Sequence, residues 1–230
     1  MSESQIDSTT LRPAGDPVVR TALAGEVAEN SLWSLRELPF SSKVNVRVDA
    51  DSSAWRSLLE SLSLSVPAPN SFHATDTTGV FWLGPDEFLL RSEENAVLAP
   101  DVRRGLADEH AGVVDVSDYY TVFRLAIAAG DQSTDTDIDV IVRGHLDVYS
   151  DLVAKLSPLD TRAQKFGVQS CAQTRMGDAA VLLSACQPGD AMSTSTVPSA
   201  RQGCDVQVRW SFAPYLWNLL CRAARLPENG

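Results

Sequence analysis

The sequence predicts an α+β protein made of two similar split βαββ-type halves, and three observations carry that expectation. Short stretches of alternating apolar residues mark strands, apolar residues at helical spacing mark four helices between them, and the two kinds of element come in a repeating order. Strand, helix, two strands, helix, strand in residues 31–120 is followed by a looser version of the same order in residues 121–226.

Residues 1–30 are rich in Ser, Thr, Asp and Glu and show no lasting apolar period, which predicts a flexible N-terminal tail. Structure is expected to begin at Ser31–Phe40, where Leu32, Trp33, Leu35, Leu38 and Phe40 carry more apolar surface than a solvated tail should. Val44, Val46 and Val48 alternate with Asn45 and Arg47 as a half-buried strand does. Asp51-Ser52-Ser53 offers an N-cap to a helix with Trp55, Leu58, Leu59 and Leu62 on one face. Ser63–Thr78, with Pro67, Pro69 and Asn70, reads as a loop. Gly79–Leu83 and Glu87–Arg91 flank Gly84-Pro85-Asp86 as a hairpin, a helix is expected over Ala96–His110, and a strand over Gly112–Val116.

In the second half, strands are expected at Thr121–Ala128, Cys171–Met176, Ala179–Ser184 and Asp205–Trp210, the middle pair joined at Gly177-Asp178. A helix is expected over Leu146–Leu156. Ser211 should cap a closing helix whose inward face is Phe212, Tyr215, Leu216, Leu219, Leu220, Ala223 and Leu226. Gly130–Asp139 and Gln187–Gly203 read as polar surface loops. Residues 31–226 are thus expected to form a single domain, with residues 227–230 a short tail.

Composition bounds the function. Of 230 residues, 44% are hydrophobic and 21% charged, enough for a substantial core. With 19 Lys+Arg against 30 Asp+Glu the net charge is -11, which repels phosphate backbones and anionic lipid, so neither nucleic acid nor a membrane is an expected partner. No apolar run approaches the roughly 18 residues of a membrane helix, and the N-terminus lacks a cationic segment leading into an apolar one. A cytoplasmic location follows as an expectation, with Cys171, Cys186, Cys204 and Cys221 reduced and buried.

Motifs that carry chemistry are scarce. No G-x-x-x-x-G-K-[ST] and no G-x-G-x-x-G is present, and His73, His110 and His145 lie too far apart to share a helical zinc face. Asp131–Asp139 alternates oxygen ligands like a calcium loop, but Thr136 stands where the sharp turn needs glycine and Val142 where a bidentate glutamate is needed. A Cys–His dyad assembled by the fold stays open, while Asp115 and Asp118 suit turns better than a shared acid–base pair. The expectation is a chain with no catalytic, cofactor-binding or metal-binding residues.

Several segments in order resemble a known family. Leu83–Leu90, Val113–Asp118 and Thr121–Leu125 are similar to the first half of the gamma subunit of heterotetrameric sarcosine oxidase. Ser157–Asp160, Phe166, Cys171–Thr174, Val181–Leu183 and Ser211–Trp217 resemble its second half more closely. The resemblance spans about residues 31–226, with departures at Gly130–Asp139 and Gln187–Gly203. It implies a fold like the folate-binding domain of aminomethyltransferases such as the glycine-cleavage T-protein. It implies also a place in a bacterial, cytoplasmic flavoenzyme complex that demethylates sarcosine to glycine and passes the one-carbon unit to tetrahydrofolate. FAD, FMN, NAD, tetrahydrofolate and zinc would sit on other subunits, and the partners would be the alpha, beta and delta subunits. Related complexes act on other secondary amines, which leaves the amine open. On this reading Trp33, Phe40, Tyr215 and Trp217 are the candidate interface residues. The alternative is a stand-alone folate-dependent one-carbon transferase, which would need Asp115 or Asp160 to anchor a pterin ring.

Overall fold

A computed structural model describes residues 21–93, 98–127, 150–162, 164–167, 169–186 and 203–227. Its strands are β1 (Val27–Glu29), β2 (Trp33–Glu37), β3 (Ser42–Arg47), β4 (Phe72–Ala74), β5 (Thr78–Gly84), β6 (Glu87–Ser92), β7 (Gly112–Asp115), β8 (Tyr120–Ile127), β9 (Cys171–Met176), β10 (Ala179–Cys186) and β11 (Gly203–Arg209). Helices α1 (Ser53–Ser61), α2 (Leu98–Gly105) and α3 (Ala213–Ala224) join them, with a further helical stretch at residues 150–154.

The strands form two antiparallel sheets, a five-stranded one in the order β4-β5-β6-β3-β7 and a six-stranded one in the order β1-β2-β8-β11-β10-β9. Alternation along the strands assigns the faces. In the five-stranded sheet Val44, Val46, Val80, Phe88 and Leu90 pack with Trp55 and Leu59 of α1 and Val102 of α2. In the six-stranded sheet Leu35, Phe123, Leu125, Leu183, Val206 and Val208 pack under Leu216, Trp217 and Leu220 of α3. The residues between these, Leu89 and Arg91 on β6 and Arg124, Leu182 and Asp205 on the other sheet, point the opposite way. Phe72, Phe81, Leu89, Cys171 and Leu182 meet there as a small cluster holding the sheets together. The order of layers is helix, sheet, sheet, helix, so each sheet has helices on its outer face and the other sheet against part of its inner one, β7 staying largely exposed.

Local chemistry supports the predicted elements at most positions. Ser52 caps α1, its Oγ accepting from the Trp55 amide at 3.2 Å. The predicted hairpins are present as β5–β6 and β9–β10. Of the helix expected over Leu146–Leu156, residues 150–154 are helical and 146–149 lie outside the described residues, as do the acidic loop at Gly130–Asp139 and residues 187–202 of the second loop.

Five expectations need correcting. Val27–Glu29, read as tail, is strand β1, and Phe72–Ala74, read as loop, is the edge strand β4. Strand β2 leaves the first half: it pairs with β8, Leu35 opposite Leu125, because Trp33 and Leu35 complete the apolar face under α3. The six-stranded sheet therefore takes strands from both ends of the chain, and the five-stranded sheet only residues 72–115 and β3. The closing helix is not capped by Ser211. A 3-10 turn at Trp210–Phe212 leads into it, Phe212 stands at the N-cap without a side-chain bond, and Pro214 in the first turn has no N–H to satisfy. Its buried face is Ala213, Leu216, Trp217, Leu220, Cys221 and Ala224, which leaves Phe212 and Tyr215 exposed. Both stripes are apolar, and hydrophobic spacing alone does not choose between them.

Candidate functional site

The layer between the sheets holds charges that strand alternation placed away from both helical cores. Arg91 of β6, Arg124 of β8 and Asp205 of β11 are 3%, 6% and 2% exposed. Arg124 grips Asp205 in a fork, Nε donating to Oδ1 at 2.8 Å and Nη2 to Oδ2 at 3.0 Å, and Arg91 Nη2 reaches across from the other sheet to Oδ2 at 2.8 Å. Burial opposes ionisation of Asp205, but the two guanidiniums outweigh it and hold the carboxyl far below the usual carboxylate range. The Arg91 guanidinium also lies 5.1 Å from the Phe81 ring centroid. The contact is ionic at its centre and apolar at one flank.

A cavity of about 560 Å³ opens beside the ion cluster. Arg91, Arg124 and Val122 form one wall; Leu38, Pro39, Phe40 and Ser41, which connect β2 to β3, form another; Gly25, Val27, Arg36, Glu37, Thr77 and Glu93 complete it. Glu37 ties the N-terminal segment to this site. Its Oε1 accepts from the Thr121 hydroxyl at 2.7 Å, and its Oε2 accepts the amides of Leu23 and Gly25 at 2.9 and 3.0 Å. Lys43 stands behind Phe40, buried, with Nζ donating to the Ser41 carbonyl at 2.9 Å and 5.4 Å from the Phe40 centroid. Burial, reinforced by Arg91 and only partly offset by Asp118 and Asp115, brings the ammonium down to about 7. A second, smaller depression of about 330 Å³ between the sheets is lined by Asn45, Glu87, Leu89, Tyr119, Gln207 and Arg209 among others.

The residues singled out from sequence go to different places. Trp33 and Trp217 are 3% and 4% exposed and belong to the chain's own core, Trp217 edge-on to Phe123 at 5.5 Å, so neither offers area to a partner. Phe40 is half-buried on the cavity wall. Tyr215 is 40% exposed beside Phe212, its hydroxyl oxygen accepting the Asp178 amide at 3.0 Å. Asp115 is the exposed last residue of β7, and its Oδ1 accepts from the Ser117 amide and hydroxyl. Asp160 is exposed and forked to Arg162 at 2.8 and 2.6 Å, and that pairing holds its carboxyl down to about 2. Neither aspartate lines the cavity, so the structure gives the pterin-anchoring alternative no anchor in this pocket.

Cys171 is buried, its thiol donating to the Ser71 carbonyl at 3.1 Å, and burial pushes it up to about 12, which keeps it protonated and unreactive. Among the described residues no three His, Cys, Asp or Glu side chains come together as a metal would need, and no helix is long and apolar enough to cross a membrane. The residues that sequence reading missed are Lys43, Arg91, Arg124 and Asp205. Arg124 and Asp205 stand between apolar neighbours, and Lys43 and Arg91 beside Val44 and Leu90, as solvent-facing strand residues would. Only a second sheet against that face turns the pattern into a buried charge cluster.

No family model matches the chain. Among curated proteins it is similar to the sarcosine oxidase subunit gamma of Corynebacterium sp. (strain U-96), 30% identical over 185 residues that cover 79% of this chain and 81% of the relative. The chain belongs to the sarcosine oxidase gamma-subunit family. The gamma subunit from Arthrobacter sp. is 29% identical over 184 residues, 79% of this chain and 81% of the relative. Among solved structures the fold is similar to a chain of heterotetrameric sarcosine oxidase from Corynebacterium sp. U-96, with a TM-score of 0.64, 26% identity and 86% of each chain covered. Placing this chain among gamma subunits accords with the ordered segments from Leu83 to Trp217 that resemble the family.

Proposed function

We propose that this chain is the non-catalytic, structural gamma subunit of a cytoplasmic heterotetrameric sarcosine oxidase-type complex. The observation that carries the reading is similarity to gamma subunits over four-fifths of both chains, together with a shared fold over 86% of a chain from such a heterotetramer. The chemistry, oxidative demethylation of sarcosine to glycine with one-carbon transfer to tetrahydrofolate, would belong to the alpha, beta and delta subunits with their FAD, FMN, NAD, folate and zinc. What this chain contributes is a rigid folded surface. The exposed aromatic pair Phe212 and Tyr215, at the N-terminal end of a helix whose other face is fixed in the core, is the surface best suited to bury against a partner.

Co-expression with the three other subunits of a sarcosine oxidase tests this reading. The expected outcome is co-purification of the chain with a flavin-bearing partner and no amine oxidation by the chain alone. Amine oxidase activity of the isolated chain, or its failure to enter the complex, overturns the proposal.

A further inference from the structure

We propose that the free edge of β7 accepts an extended segment of a partner polypeptide, with lysine or arginine between apolar residues, as a sixth strand of the five-stranded sheet. Strand β7 ends the order of that sheet and is paired with β3 alone among the described strands. The Val116 amide donates to the Lys43 carbonyl at 2.9 Å, in register with the β3–β7 ladder. Bonded and non-bonded pairs alternate in an antiparallel ladder, so Gly112 and Val114 turn their amides and carbonyls toward β3, while Val113 and Asp115 turn theirs outward. The Val113 carbonyl is approached there by Nη2 of the exposed Arg103, at 3.5 Å. Neither lysine nor proline lies within Gly112–Asp115 to guard this edge. The other edges offer less. Strands β4 and β9 close on one another, the Phe72 amide donating to the Gln169 carbonyl at 2.8 Å and the Cys171 amide to the Asn70 carbonyl at 2.9 Å, and β1 is three residues long.

The surroundings of β7 select the occupant. Val114 and Tyr119 are 56% and 46% exposed, and both line the smaller depression between the sheets. An apolar residue of the incoming strand would cover them. Asp108, Asp115 and Asp118 are exposed and Glu109 is half-buried, and none forms a salt bridge with a described residue. Arg47, opposite Gly112, is already held by Glu87. The exposed Arg103 and Arg209 oppose the carboxylates, Arg209 lying 5.2 Å from the Tyr119 ring centroid. Four carboxylates against these two guanidiniums, in a chain of net charge -11, favour a cationic segment over an acidic one. Main-chain hydrogen bonds would supply the affinity and these side chains the selectivity. The edge shares no residue with the Phe212–Tyr215 surface, and its test needs no other subunit.

The probe is a short capped peptide of alternating lysine and valine, with a glutamate-for-lysine peptide as the charge control and a copy N-methylated at every residue as the hydrogen-bonding control. Amide hydrogen exchange of the full chain is the readout. Without peptide, the Val113 and Asp115 amides should exchange far faster than those of Gly112 and Val114. The lysine peptide should slow Val113 and Asp115 at least roughly ten-fold, saturably and in the millimolar range, while both controls leave them unchanged. Val113→Pro removes an outward donor without breaking the ladder to β3, and it should abolish the protection of Asp115. If that variant does not fold, the N-methylated copy still decides. Absence of protection at about 10 mM lysine peptide, or equal protection by either control, overturns the proposal. Protection that rises with protein concentration in the absence of peptide also overturns it, by making the edge a contact between copies of this chain.

Discussion

At the scale of single residues the protein is unusual in what it buries between its sheets. Lys43 is a fully buried lysine whose ammonium is brought down to about 7 by burial and by Arg91, against the opposing pull of Asp118 and Asp115. The sign of the consequence follows from proton counting. Between pH 7 and about 10.4, the ordinary lysine value, the unfolded chain holds a proton at this site that the folded chain has released, so stability rises with pH across that window, by at most about 1.4 kcal/mol per pH unit. Lys43→Met should remove that slope and raise the unfolding midpoint at pH 7. Urea titrations of both proteins at pH 7 and pH 9.5 check it; parallel pH dependences would show that Lys43 pays no burial penalty. The position was readable from sequence only as a strand residue beside Val44. Ser41 and Phe40 are its chain neighbours, but Arg91 comes opposite it only when β3 and β6 pair.

At the scale of elements the β9–β10 hairpin shows how a turn residue and a distant helix are fitted together. Gly177 has φ +54°, which disfavours any side chain, and a Cβ built there runs into the Tyr215 hydroxyl and Leu219 of α3. The same hydroxyl accepts the Asp178 amide, so the turn is docked on the helix. Gly177→Ala should lower stability by about 1–3 kcal/mol, and Tyr215→Phe in the same background should return part of that loss. Thermal unfolding of Gly177→Ala, Tyr215→Phe and the double variant measures it, and simple additivity would mean the strain is all in the backbone. The turn dipeptide was legible in sequence because Gly177-Asp178 separates two alternating runs. Its dependence on Tyr215 was not, since 38 positions of chain separate Gly177 from that residue. The closing helix is a similar case: two apolar stripes compete, and the one with Trp217 wins because it meets Phe123 and Leu35 on the sheet beneath.

At the scale of the whole molecule, the proposed docking role rests on which apolar residues stay outside. Tyr215 and Phe212 are exposed and Trp217 is buried, although the three fall within six residues at the start of α3. Tyr215→Arg with Phe212→Arg should leave the fold intact by circular dichroism and reduce capture by a sarcosine oxidase complex at least roughly ten-fold, a loss typical of hot-spot residues. Trp217→Ala should instead lower stability by about 3–5 kcal/mol. Pull-down and denaturation of both variants separate the two effects; a Phe212/Tyr215 pair without influence on capture would move the interface elsewhere on the surface.

The α+β class, most strands and helices, a cap within Asp51–Ser53 and membership of the gamma-subunit family are legible without the fold. Those features are written in local periodicity and in ordered short segments, both of which survive without knowledge of what lies opposite. Tertiary structure alone decided that β2 joins β8, that the two sheets stack into four layers, and that Arg91, Arg124 and Asp205 meet out of water. Alternation tells which residues share a face of a strand, but whether that face meets solvent or another sheet is set by contacts between segments more than eighty positions apart. For this protein the same period-two pattern covers both outcomes, and only the second sheet distinguishes them.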